Sequence, residues 1–153
     1  MAEVARQTTG ESVDHEISIE NVDKPLLDFV EITERLAAFA PEEPVWLTRT
    51  ATFVEKSRIF PGATFIVGAD TLVRIADPKY YGDDPSQAAR ALAAIADAGC
   101  RFLVFGRTIG GRFCSLADLQ VPDRLCDICQ AVPEEIFRDN VSSTEIRRPN
   151  QTE

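Results

Sequence analysis

Two short, unbroken apolar runs constrain this chain more than any other feature: Ala-Thr-Phe-Ile-Val at residues 63–67 and Arg-Phe-Leu-Val-Phe at residues 101–105. Each is too short for a stable helix and shows no alternation of polar and apolar positions. Such runs read as strands covered on both faces, the usual state of strands in a parallel sheet. Two weaker strands precede them. Residues 15–19 alternate with period two, and residues 45–48 (Val-Trp-Leu-Thr) form a short apolar stretch.

The intervening segments carry helix signals. Asp28 is a cap with Glu31 three residues on, and Phe29, Ile32, Leu36 and Phe39 follow at helical spacing. Residues 50–59 read as a helix closed by Pro61-Gly62. Asp84-Pro85-Ser86-Gln87 opens another, with Ala88, Leu92 and Ile95 facing inward and Gly99 ending it. Strands alternating with helices imply an α/β fold with a largely parallel sheet, whose ligands bind at the carboxyl ends of the strands. Smaller elements complete the expectation. These are a helical turn at residues 71–75, a loop at 78–84 holding two tyrosines, and a hairpin at Gly110-Gly111. A helix is expected over 125–131, and another from about Ser143, before a polar tail at 149–153.

Charge narrows the partners. Twenty-five acidic against 16 basic residues give a net charge of −9, which repels phosphate backbones at long range. Only Arg147 and Arg148 are adjacent basic residues in the later part of the chain, so nucleic-acid binding is not expected. No run of 18 apolar residues spans a membrane, and residues 1–10 lack a signal peptide's basic start and apolar centre. The expected location is the cytoplasm. The four cysteines are Cys100, Cys114, Cys126 and Cys129. One CxxC pair with two scattered singles and His15 is poor spacing for zinc, so no metal site is expected. The alternative places Cys126 and Cys129 on one face of a short helix as small apolar residues.

Two segments can carry chemistry. In Val141-Ser142-Ser143-Thr144-Glu145-Ile146-Arg147, hydroxyls sit where a helix begins, and Arg147 lies one turn after Ser143. Free backbone N–H groups, the helix dipole and a guanidinium on one face suit a phosphate chain. The competing reading is an ordinary capping box of Ser142 with Glu145. In the second segment, Thr64-Phe65-Ile66-Val67-Gly68-Ala69-Asp70, an apolar strand ends in Gly-Ala-Asp at the ligand edge. Gly68 allows close backbone approach and Asp70 offers a carboxylate, or else Asp70 only caps the following turn.

In this order and at these strand ends, the pair resembles the later motifs of the nucleotidylyltransferase superfamily, above all nicotinate and nicotinamide mononucleotide adenylyltransferases. The resemblance covers roughly residues 15–148. It implies a Rossmann-like, doubly wound parallel sheet. It implies that Ser142, Ser143, Thr144 and Arg147 hold a nucleoside triphosphate with Mg²⁺. It further implies that Gly68, Ala69 and Asp70 lie beside a phosphorylated acceptor such as nicotinamide mononucleotide. Tyr80 or Tyr81 corresponds to an aromatic residue that stacks on the nicotinamide ring, and Arg107 to a phosphate-facing arginine. Thr48 and Arg49 end a strand at the same edge.

One family element has no counterpart. The family places a His-x-Gly-His motif after its first strand, and this chain has a single histidine, His15, inside an expected strand. Residues 1–11 resemble the tail of the helix that follows the motif, so the first strand and its loop are expected to be missing. Residues 1–148 then form an incomplete domain, with an open groove where a central strand belongs. That gap is filled either by a missing N-terminal half or by another chain, as in a homo-oligomer. Two functional readings follow. One is an adenylyl- or cytidylyltransferase whose catalytic half lies elsewhere, the other a nucleotide-binding or assembly module without catalysis. An unrelated flavodoxin-like domain would not bind phosphate through Ser142 to Arg147.

Overall fold

Strand–helix–strand units account for most of the chain in the computed structural model, which describes residues 1–138. The elements run α1 (Ala2–Thr9), β1 (His15–Ser18), α2 (Phe29–Leu36), β2 (Val45–Thr48), α3 (Phe53–Ile59), β3 (Thr64–Gly68) and α4 (Ala69–Ala76). They continue with α5 (Pro85–Asp97), β4 (Arg101–Phe105), β5 (Arg107–Ile109), β6 (Arg112–Cys114), α6 (Asp123–Cys126) and β7 (Cys129–Ala131). The fold is mixed α/β with parallel strands. β1 pairs with β2, and β3, β4 and β7 form a second sheet in that order. β5 and β6 make a separate antiparallel hairpin.

Local chemistry explains the starts of α2, α3 and α5. Asp28 accepts from the Glu31 N–H, and Glu31 reaches back to the Asp28 N–H, so α2 opens on the expected capping box. α5 begins on Asp84, which accepts from Ser86 N–H, with Pro85 at the first helical position. α3 starts three residues later than residue 50, because Thr52 and Glu55 form a second capping box that fixes the boundary.

The core has two layers, one on each face of the β3–β4–β7 sheet. On one face Val67, Phe102 and Val104 meet Leu72, Ile75, Leu92, Ile95 and Leu125, with Phe53 and Phe65 packed against them. On the other, Leu103 and Phe105 meet Ala5 of α1 and Val132. Alternate residues of β3 and β4 thus point to opposite layers, which is why both strands read as unbroken apolar runs.

Several expectations are corrected. Residues 125–131 are not one helix. α6 ends at Cys126, and β7 then pairs with the open edge of β4, Phe102 donating to Ile128 C=O and Val132 donating to Val104 C=O. A free strand edge supplies backbone bonds that no local propensity registers. Consequently Cys126 and Cys129 do not share a helix face. The hairpin pairs β5 with β6, not the long strand β4 with residues 112–115. The turn at 71–75 is a full helix running straight out of Gly68, and residues 78–81 of the tyrosine loop form a 3₁₀ turn. The apolar face of α2 is only half covered, with Phe29 83% exposed. Ser142, Ser143, Thr144, Arg147 and the helix expected near Ser143 lie outside the described residues. Among the described residues no helix is long and apolar enough to cross a membrane.

Candidate functional site

The carboxyl ends of β3 and β4 bring two of the expected residues together. Gly68, the last residue of β3, is directly opposite Phe105 in β4. A Cβ on Gly68 would collide with the Asp70 carboxylate and lie 3.0 Å from Cγ and 3.1 Å from Nε of Arg107. Its φ of −80° is ordinary, so what the glycine supplies here is space over its backbone rather than an unusual backbone conformation. Its missing side chain is what lets a carboxylate and a guanidinium settle over the same point of the backbone. Ala69 is fully buried beneath them, and Asp70 is exposed. Arg107 also donates to Met1 Sδ at 3.0 Å.

The start of α4 adds a second feature. α2, α3 and α5 each open on a side chain that accepts a first-turn N–H, whereas α4, like α1 and α6, has no side-chain cap. The first backbone N–H groups of α4, beside Asp70 and Thr71, present the positive end of the helix, and no capping side chain accepts from them among the described residues.

A cavity of about 350 Å³ reaches α4 at Thr71, and Gly68, Asp70 and Arg107 are not among the residues that line it. The end of β1 (Ser18), the start of α3 (Thr52, Lys56), α4 (Thr71, Arg74) and Tyr80 wall it. Its size is that of a small-molecule site. Three cations reach its wall, Arg35, Lys56 and Arg74. Lys56 is only 8% exposed and is held by Glu16 Oε1 at 2.6 Å. Glu16 also accepts from the Thr48 hydroxyl, which lies 2.8 Å from that of Thr50. Thr48 is therefore buried in a polar network behind the cavity. Arg49 is instead exposed and paired with Glu20 at 2.7 Å.

Tyr80 is placed in this wall, but its ring is already engaged. Arg74 and Lys79 lie 5.5 and 4.6 Å from its centroid, and its hydroxyl donates to Asp23 at 2.9 Å. The Tyr80 hydrogen bond, with Arg74 beside it, holds the Asp23 carboxyl below the usual range. The same Tyr80 contact raises Arg74 and Lys79, so the cluster keeps its charges through neutral pH. Tyr81 donates to Ile75 C=O at 2.9 Å, and burial raises its phenol. Periodicity had no means of finding the Asp23–Arg74–Tyr80 cluster, since its members are brought together only by the fold.

The described residues contain no group of three or more His, Cys, Asp or Glu side chains arranged for a metal ion. No protein-family model, no curated protein and no solved structure matches this chain.

Proposed function

We propose that the chain is a nucleotide-phosphate-binding module of nucleotidylyltransferase type, built on a Rossmann-like sheet, that binds without completing catalysis. The observation that carries this reading is the convergence of Asp70 and Arg107 over Gly68, at the carboxyl end of β3 and beside the uncapped start of α4. Strand ends are where parallel sheets take ligands, and helix starts favour phosphate. In this reading Arg107 faces a phosphate and Asp70 accepts from a ribose hydroxyl. The mononucleotide, nicotinamide mononucleotide or a relative, extends past Thr71 into the cavity walled by Ser18, Thr52 and Tyr80. Ser142, Ser143, Thr144 and Arg147 take the triphosphate of ATP or CTP with its Mg²⁺. Transfer of the nucleotidyl group needs no covalent intermediate, only positioning and neutralisation of charge on the bridging phosphates. The family does this with His-x-Gly-His, and these 153 residues contain one histidine. Binding without turnover is the reading this favours.

Titration calorimetry with nicotinamide mononucleotide and with MgATP tests it. Weak binding is expected, with no pyrophosphate release when both are present. Gly68→Val, which pushes Asp70 and Arg107 apart, should abolish mononucleotide binding, and Arg107→Ala should weaken it about tenfold or more. Arg147→Ala should weaken MgATP alone. Affinities unchanged by all three substitutions would remove the site, and measured turnover would overturn the non-catalytic reading.

A further inference from the structure

Two glycines stand at the carboxyl ends of β3 and β4, and at each the place of the missing Cβ is taken by a side chain from elsewhere. Over Gly68 it is Asp70 and Arg107. Over Gly106, which joins β4 to β5, it is the ring of Phe113. A Cβ on Gly106 would collide with Cζ of that ring and lie 2.9 Å from Cε1 and 3.1 Å from Cε2, so the ring meets the glycine tip first. Gly106 is buried and does not take a left-handed backbone, so its lack of a side chain serves the ring that rests on it.

The ribbon β5–β6 has three residues a side, too few to hold its orientation alone. Thr108, Gly110, Gly111 and Arg112 are exposed, so little of it is packed. Its register decides which residues share a face. Thr108 pairs with Phe113, and Arg107 with Cys114. Gly106, Thr108 and Phe113 therefore belong to one face, with Phe113 diagonal to Gly106, and Arg107 belongs to the other. Phe113 grips the end of β4 on its side. Arg107 projects from the opposite side and reaches over Gly68, where a Cβ would lie 3.0 Å from its Cγ. Backbone pairing fixes this opposition, so a ribbon that turns about its own axis carries Arg107 with it. The Arg138 guanidinium, 5.1 Å from the ring centroid and paired with Glu134, adds a second hold on Phe113.

We infer that Phe113 is a positioning residue for Arg107: its ring, seated against Gly106, sets the rotation of the β5–β6 ribbon and so aims the guanidinium over Gly68. That the guanidinium then meets a phosphate rests on the nucleotide reading, whereas the seating of the ribbon does not. The fit is steric. One added atom on either side breaks it, a methyl at Gly106 or a hydroxyl on Cζ of Phe113. Neither addition changes the side chains of Gly68, Asp70 or Arg107. A shorter side chain at Phe113 makes room for the methyl, so Gly106→Ala and Phe113→Leu compensate for each other.

Two readouts test it on the isotope-labelled full chain. One is the Nε–H resonance of Arg107, assigned by its loss in Arg107→Ala. The other is calorimetric affinity for nicotinamide mononucleotide. Gly106→Ala and Phe113→Tyr should each displace the Arg107 signal and weaken binding about fivefold. Neither should weaken binding further in the Arg107→Ala chain, a dependence that a merely structural role would not produce. Gly106→Ala with Phe113→Leu should restore the signal and bring the affinity to within about twofold of the unsubstituted chain. Phe113→Tyr, which adds a single hydroxyl, carries the test if Gly106→Ala does not fold. An Arg107 signal unmoved by Phe113→Tyr would overturn the inference, as would affinity losses that add in full to that of Arg107→Ala. Unchanged affinity in Arg107→Ala itself would overturn the nucleotide reading instead, and the Arg107 signal alone then decides whether Phe113 sets its position.

Discussion

The β3–β4–β7 sheet and the β1–β2 pair are made from the same kind of unit, yet they are buried very differently. Four of the five residues of β4 are buried, and α4 and α5 each bury three side chains, two from each in the layer that holds Phe102 and Val104. β1 and β2 bury one residue each, Ile17 and Thr48, and α2 buries none. Trp46 of β2 is 52% exposed. The difference is one of completeness. β4 has a strand on each side and helices over both faces, whereas β1 has a partner on one side only and an open groove on the other. Hydrophobic burial requires that neighbours be present on every side, so the same apolar content stabilises one sheet far more than the other.

The sharpest way to break this comparison is to empty both halves. Phe102→Ala, which removes a ring touching Phe53 and Phe65 at centroid distances of 5.5 and 5.8 Å, should cost about 3–5 kcal/mol. Phe29→Ala on α2 should stay within about 0.5 kcal/mol. Urea unfolding with an unchanged m-value measures both, and equal losses would mean that the two halves are equally packed. A thiol test probes the completed sheet chemically. Burial, with Cys126 nearby, pushes Cys129 in β7 from 9.0 up to about 12. Its thiolate fraction at pH 8 should fall about a thousandfold. Mass spectrometry after iodoacetamide should find the exposed Cys126 labelled first. Rapid labelling of Cys129 would mean that β7 opens readily from β4.

The open half has its own measure in the Lys56–Glu16 pair, whose lysine is buried and whose carboxylate is partly solvated. Lys56→Met leaves the Glu16 carboxylate without its cation and should cost about 1–3 kcal/mol, less than a fully enclosed pair because Glu16 keeps some solvent. Adding Glu16→Gln should recover part of the loss, and a double-mutant cycle reads the coupling. The smallest effect is on the acid limb. The Ser86 N–H holds the Asp84 carboxyl, cap of α5, below its ordinary 3.8. A depressed value in the folded state contributes stability above the ordinary value and loses it as pH falls through the folded one, so the loss comes below about pH 4. Asp84→Asn keeps the cap and should flatten thermal stability in that window. An unchanged acid limb would show that the cap carries no charge-dependent part.

Much of the fold was legible because its signals are local. The capping pairs at Asp28 and Asp84, the inward Ala88, Leu92 and Ile95, and the two unbroken strands each follow from residues within one turn or one strand of each other. The misreadings have the opposite origin. β7 exists because β4 has a free edge, and α2 stays half exposed because little is packed against it. Of the candidate site, Gly68 and Asp70 were legible as a strand end, and Arg107 came from family resemblance. Their meeting over one backbone atom belongs to the register of β3 against β4. The Asp23–Arg74–Tyr80 cluster joins residues 51 and 57 positions apart, and no spacing rule reaches that far.

By itself, the sequence determined the alternation of strands and helices and which two strands are covered on both faces, because periodicity and capping act between neighbours in the chain. Only the tertiary structure decided that these strands fall into two sheets with open edges, and that a carboxylate and a guanidinium share the space over Gly68. Edge pairing and side-chain convergence depend on which distant segments meet.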